Sequence, residues 1–228
     1  LNGRQDAYWF AETQNRLLED YPKPFMDACL NLLGSHDTER VRTALTGAPD
    51  ARSLSRAQQL SHRPDEATLL RAADRVALGY ALMAVLPGVP CIYYGDEAGM
   101  TGMSDPLNRG TFPWGRENTS LTERVRTLMR LHRESDAIQW GSTRIAAVGK
   151  QTVCVIRQSS EETLILLANA ADTPVRASVF SALFREGDAT EVLDLSGTYR
   201  DEHGNPVEAR STLSVTVPAN GFRILKKS

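Results

Sequence analysis

Cysteine is scarce in this 228-residue chain: Cys29, Cys91 and Cys154 lie far apart, each within an apolar run. An odd count cannot be fully paired, and no metal-ligand spacing of Cys or His occurs. The expectation is therefore three buried free thiols in a reducing compartment, the cytoplasm. Long hydrophobic runs are missing too. The longest, 76–89, contains Gly79, Tyr80 and Pro87 and is too short to span a bilayer. Neither sign of charge is in excess. With 26 basic and 28 acidic residues the net charge is -2, which gives no broad electrostatic footprint for nucleic acid or an anionic membrane. There is no glycine-rich phosphate loop and no nucleophile-elbow serine. His62, His132 and His203 stand isolated and read as surface or core residues. No signal peptide is visible; because the chain starts at Leu1 rather than methionine, its natural start is expected upstream.

What is present is ordinary globular composition, 41% hydrophobic and 24% charged, enough for one large domain or two small ones. Residues 1–139 read as helices alternating with short apolar strands. A helix over 7–19 ends at Tyr21-Pro22-Lys23-Pro24. A strand over 28–33 follows, then a brief helix over 38–45. Leu69, Leu70, Ala73, Val76, Ala77, Tyr80, Ala81 and Ala84 recur at helical spacing over 66–86, before Pro87-Gly88. A second buried strand covers 90–94 and leads into a turn-rich loop over 96–118. Ser120-Leu121-Thr122-Glu123 has the capping-box pattern for the next helix.

From Trp140 the texture changes. Short β-branched strands are expected at 143–148, 152–158, 163–169, 175–179, 191–195, 211–217 and 222–225, separated by turn signals. Runs of strands without intervening helices predict an antiparallel β-sandwich over 140–228.

Two strand-to-loop junctions hold the chemistry. The first, Leu33-Gly34-Ser35-His36-Asp37-Thr38-Glu39-Arg40, delivers an imidazole and a carboxylate from the carboxyl end of an apolar strand, where parallel α/β folds bind ligands. On spacing alone, Ser35 or Asp37 capping the following helix competes with that reading. The second runs from Tyr93-Tyr94-Gly95-Asp96-Glu97 to Asp105-Pro106-Leu107-Asn108-Arg109. It mixes rings, acids and an arginine, as carbohydrate sites do; a surface loop with ion pairs reads equally well. Trp9, Trp114 and Trp140 read as packing residues, although Trp114 is near enough to the second loop to line a cleft.

Asn31-Leu32-Leu33-Gly34-Ser35-His36-Asp37 resembles the α-amylase family segment at the seventh strand of its (β/α)8 barrel. Gly88-Val89-Pro90-Cys91-Ile92-Tyr93-Tyr94-Gly95-Asp96-Glu97 resembles the eighth-strand segment. Asp105-Pro106-Leu107-Asn108-Arg109 with Phe112-Pro113-Trp114 resembles the loop of the cyclomaltodextrinase, neopullulanase and maltogenic-amylase branch.

The resemblance implies an α/β plus all-β chain. Residues 1–139 would hold the last two strands of a (β/α)8 barrel with their helices, and 140–228 a β-sandwich. It implies retaining cleavage of α-linked glucans, with Asp37 as the acid that steadies the transition state and His36 as its hydrogen-bonding neighbour. Asp105 and Arg109 would hold glucose units, or grip each other. The family's nucleophile and acid/base lie on the fourth and fifth strands, which no segment here resembles. A full barrel takes about 250 residues, so the chain is expected to be a carboxyl-terminal portion, inactive in isolation. No cofactor is expected in it, and a calcium site would lie upstream. The expected partners are an α-glucan oligosaccharide and either a second copy or the preceding barrel strands, not nucleic acid or membrane. A non-catalytic carbohydrate-binding or scaffold protein derived from the same fold is the competing reading. An isomerase or transglycosylase within the family is also open, and a transporter partner would need an anchor that is not visible.

Overall fold

The computed structural model describes residues 1–184 and 193–228. The chain begins with α1 (Ala7–Asp20), α2 (Lys23–Ala28), β1 (Leu30–Leu32), α3 (Val41–Ala44), α4 (Arg56–Ser61), α5 (Glu66–Val85) and β2 (Val89–Cys91). Then come α6 (Thr119–Glu134), α7 (Asp136–Trp140), β3 (Ser142–Gly149), β4 (Thr152–Gln158) and β5 (Thr163–Asn169). The last strands are β6 (Val175–Phe180), β7 (Gly197–Arg200), β8 (Pro206–Ala209), β9 (Thr212–Val217) and β10 (Gly221–Lys227).

The helix starts have local causes. Asp6 accepts from the Trp9 N–H at 2.9 Å at the start of α1, and Asp65 accepts from the Thr68 N–H at 2.8 Å at the start of α5. The expected Ser120 capping box does not form. Asn118 caps α6 instead, accepting from the Leu121 N–H at 3.0 Å, so Ser120 already lies inside the helix. A complete capping box occurs at Ser55 and Gln58, where α4 went unanticipated.

β1 and β2 pair in parallel, with Leu30 opposite Val89, Asn31 opposite Pro90 and Leu32 opposite Cys91. The remaining strands form an antiparallel six-stranded sheet, ordered β3-β4-β5-β10-β7-β8, and an antiparallel pair, β6-β9. Successive side chains on a strand point to opposite faces. Val153, Val155, Leu164, Leu166 and Ile224 therefore face the helices, while Cys154, Ile156, Ile165, Leu167 and Leu225 face β6 and β9. Both faces of β4 and β5 are covered, which is why these strands read as unbroken apolar runs.

α5 joins the two regions. Ala72, Ala73, Val76, Ala77, Leu78, Tyr80, Ala81, Met83, Ala84 and Val85 are all buried, in one apolar cluster that also holds residues of β3, β4, β5 and β10. Its small side chains permit close approach: a Cβ on Gly79 would lie 2.6 Å from a Leu33 methyl. The β1 edge is left open, with Leu30 62% and Leu32 57% exposed. Beside it a hollow of about 700 Å³ is lined by Trp9, Leu30, Leu32, Leu33 and Leu82. No helix among the described residues is long and apolar enough to cross a membrane.

Some expectations need correction. All three cysteines are free, but only Cys154 is buried; Cys29 and Cys91 are half-buried because they sit on or beside the short open parallel pair. Of the strand expected at 191–195, residues 191 and 192 lie outside the described residues and 193–195 are irregular. The β7–β8 hairpin and α7 were not anticipated.

Arg157 on β4 is fully buried and donates to four carbonyl oxygens: Ala137 (3.3 Å), Val85 (3.4 Å), Ile138 (2.5 Å) and Gly141 (3.3 Å). It thereby pins the end of α5 and the whole of α7 to the sheet. Burial lowers its pKa to about 10, still far above neutrality, so the charge persists. Replacing Arg157 with alanine strands these carbonyls and opens a cavity, and should cost about 3 kcal/mol of stability. Urea unfolding of wild type and variant measures this; an unchanged midpoint would refute the clamp.

Candidate functional site

Because β1 and β2 run in parallel, the loops that follow them leave on the same side of the sheet. Beneath those loops lies a buried ion pair. The Arg40 guanidinium meets the Asp96 carboxylate, Nη1 to Oδ1, at 3.1 Å, with both side chains fully excluded from solvent. The same Nη1 donates to the Tyr94 carbonyl, and the guanidinium lies 4.3 Å and 4.7 Å from the Tyr93 and Tyr94 ring centroids. Gly34 lets the first loop approach: a Cβ there would stand 2.7 Å from Asp96 Oδ2. Gly95 takes φ +84°, a conformation that favours glycine.

Further bonds stitch the second loop onto the first. The Arg40 N–H donates to the Gly102 carbonyl at 2.9 Å, and the Gly102 N–H donates to Thr43 Oγ1 at 2.8 Å. Arg42 Nη1 donates to the Gly99 carbonyl at 2.6 Å. Asn108, fully buried, donates from Nδ2 to the carbonyls of His36 at 2.8 Å and Thr38 at 2.7 Å. A side chain lying between Asp105 and Arg109 in sequence thus holds the backbone beside Asp37. From the other side, Ser104 Oγ donates to Gln59 Oε1 at 2.8 Å, so α4 supports the turn that carries Asp105.

The four residues singled out from sequence sit on these joined loops as two exposed pairs. His36 Nε2 lies 3.1 Å from Asp37 Oδ1, and Arg109 Nε lies 2.6 Å from Asp105 Oδ1. Neither Ser35 nor Asp37 caps α3; its N-cap is Arg40, which provides no side-chain hydrogen bond. Ser35 Oγ accepts from the Asp37 N–H at 3.2 Å, fixing the backbone at the tip. Arg40, Asp96 and Asn108 were given no role by sequence reasoning. The only signal was their position, at the mouths of two apolar strands and between two site candidates. Among the described residues no cluster of three or more His, Cys, Asp or Glu side chains is arranged to hold a metal.

Electrostatics at the base of the site is dominated by burial. It raises the Asp96 carboxyl to about 6, against the opposing hydrogen bond and attraction from Arg40. Asp96 Oδ2 and Arg40 Nε and Nη2 are buried without hydrogen-bond partners among the described residues. Burial also raises the Tyr80 and Tyr93 hydroxyls, so both stay protonated donors at neutral pH.

Comparison with known proteins gives consistent matches. The model of the alpha amylase catalytic domain matches residues 4–174. Amylopullulanase of Thermoanaerobacter thermohydrosulfuricus is 32% identical over 84% of this chain and 12% of its own length. Cyclomaltodextrinase of Geobacillus thermopakistaniensis (strain MAS1) is 31% identical over 73% of this chain and 26% of its own. Among solved structures, the cyclic alpha-maltosyl-(1→6)-maltose hydrolase of Arthrobacter globiformis superposes with TM-score 0.69 at 27% identity, covering 99% of this chain and 41% of that one. The chain thus spans well under half the length of these relatives.

The Asp96 shift fixes the sign of a pH effect. With a folded pKa of about 6 against an ordinary 3.8, the folded state keeps a proton that the unfolded state releases between those values. Its contribution is complete below 3.8 and lost as pH rises through 6. Relative to Asp96→Asn, the wild type should lose about 2 kcal/mol of unfolding free energy between pH 4 and pH 6.5. Denaturant titrations of both proteins across that range test this. Parallel curves for the two would contradict it.

Proposed function

Because the chain belongs to the α-amylase family of glycoside hydrolases, we propose that it is the portion of a retaining α-glucan hydrolase that grips the substrate beside the scissile bond. The substrates would be α-1,4-linked, and in some cases α-1,6-linked, glucans such as maltooligosaccharides, cyclodextrins or pullulan. This substrate class rests on the names its relatives carry, amylopullulanase and cyclomaltodextrinase among them.

In this reading the Asp37 carboxylate faces the positive charge that develops on the sugar ring, and His36 orients Asp37 and a sugar hydroxyl. Asp105 and Arg109 offer an acceptor and a fork of donors to a neighbouring glucose. They hold each other at 2.6 Å, so a sugar enters by exchanging that bond for hydroxyls, and both groups stay satisfied throughout. The observation that carries the reading is Asn108, whose two hydrogen bonds tie the Asp105–Arg109 turn to the His36–Thr38 backbone. None of these roles calls for a metal or cofactor.

Retaining cleavage needs a nucleophile and an acid/base roughly 5.5 Å apart. The family resemblance assigns those to strands that have no counterpart in this sequence. An electrostatic stabiliser without a nucleophile forms no covalent intermediate, so the 228-residue chain by itself is inactive. The open β1 edge, with Leu30 and Leu32 exposed, supports association with further barrel strands or a second copy. Three free thiols fit a reducing compartment such as the cytoplasm.

Two measurements test this. Incubated with maltoheptaose or a cyclodextrin, the purified chain should release no reducing ends; measurable turnover would overturn its inactivity. In NMR titrations with maltotriose, the amides of residues 35–37, 105 and 107–109 should shift saturably, and Asp105→Ala or Arg109→Ala should weaken that response about tenfold or more. Equal responses in wild type and variants would remove these residues from the sugar site.

A further inference from the structure

A second hollow, of about 520 Å³, lies on the loop that follows β2, between Glu97, the Phe112–Gly115 turn and the first turns of α6. None of His36, Asp37, Asp105 and Arg109 lines it. Its rim carries Trp114, which is 81% exposed, an unusual state for so large an apolar ring. The ring is nevertheless held in place. Trp114 leans on Phe112, with ring centroids 4.6 Å apart and planes tilted by 51°. The turn beneath is closed by the Trp114 N–H donating to the Phe112 carbonyl at 2.9 Å and the Arg116 N–H donating to the Pro113 carbonyl at 2.8 Å. Gly115 supplies the positive φ, +72°, that the turn requires.

The lining has a definite chemical preference. Glu97 lines the hollow, and its Oε2 is buried in the wall without a hydrogen-bond partner among the described residues, so a bound hydroxyl meets that oxygen once the side chain turns outward. Glu117 and Glu123 also line the hollow. The only cation among its lining residues, Arg126, is paired with Glu123. An acidic lining repels phosphates and carboxylates. A neutral molecule fits if it presents hydroxyl donors on one edge and an apolar face of C–H groups to an aromatic ring. A hexopyranose has that combination.

We infer that the Trp114 hollow is a second sugar-binding position, taking one glucose unit of a neutral α-glucan against the exposed indole with its hydroxyls on Glu97. This deepens the functional reading above, because it rests on the same substrate class. It adds a place to hold the chain outside the residues proposed to act at the cleavage point. One ring and a few hydrogen bonds imply weak binding, in the millimolar range.

The three tryptophans provide the test, since each gives one indole N–H signal. In the 228-residue chain with ¹⁵N-labelled tryptophan, the Trp114 signal is assigned by its loss in Trp114→Phe, and maltoheptaose is added to about 20 mM. The expected result is a saturable shift at Trp114 with little change at Trp9 and Trp140. Arg109→Ala should leave that shift in place, and Glu97→Ala should raise the half-saturation concentration about fivefold. A motionless Trp114 signal would overturn the inference, as would equal shifts of all three indoles. A Trp114 response that vanishes in a folded Arg109→Ala variant would merge the hollow with the cleft and also overturn it. The cleft is read separately by the amides of residues 35–37, 105 and 107–109. A shift at Trp114 with silent cleft amides would defeat the cleft assignment alone; the converse would defeat the hollow alone.

Discussion

Taking a guanidinium and a carboxylate out of water costs on the order of several kcal/mol for each ion. The Arg40–Asp96 pair offsets part of this cost because the two strand-end loops close around it, and the raised Asp96 pKa marks the part that remains. Arg40 reaches Asp96 and the Tyr94 carbonyl on the second loop, while its own backbone N–H is tied to Gly102. If either loop moved away, a buried charge would be left alone. The exposed residues at the rim can therefore be polar and poorly packed without losing their positions. The His36–Asp37 and Asp105–Arg109 pairs sit above a base that resists separation, and Asn108 transmits that constraint to both.

A second constraint is that α5 serves two layers at once. It packs against β2 on one side and against β5 and β10 on the other, with Arg157 fixing its end. The parallel pair β1–β2 is only three residues long in each strand and could not hold its loops unaided. The antiparallel sheet, through α5, supplies the burial that such a pair lacks. This gives the β-rich part a physical task in any enzyme that uses the rim: it is the foundation against which the strand ends are held.

Elements with strong periodicity were legible in the sequence. The helix expected at 66–86 is Glu66–Val85, and the strands expected at 152–158 and 163–169 carry those bounds in the structure. Short elements were not legible. α2 follows directly on its N-cap Pro22 and takes Pro24 into its first turn, because proline is tolerated there. α7 starts just after Ser135, which closes α6 and caps its successor, so its five residues carry no separate periodic signal. β7 and β8 are four residues each around a polar turn, and their pairing depends on contacts with β10 that no local pattern encodes. At the rim, motif order pointed to His36, Asp37, Asp105 and Arg109. The residues that fix the geometry, Arg40, Asp96 and Asn108, act only across the gap between loops.

The double-sided burial of β4 and β5 has a cost in specificity. A strand with one wet face resists sliding, because a one-residue shift would drive polar groups inward. From 153 to 156 in β4 and from 164 to 168 in β5 every position is apolar, so a shifted alignment of those stretches would bury much the same surface. The correct alignment must be encoded in the few polar side chains along the pair. Thr152 at one end bonds to Asn169 of the opposite strand at 3.3 Å, and Asn169 in turn reaches the carbonyls of Thr173 and Pro218. Near the other end, Arg157 finds its four carbonyls in only one alignment. The sheet is glued by its oily middle and indexed by its polar margins, so substitutions at those margins threaten mispairing more than simple loss of stability.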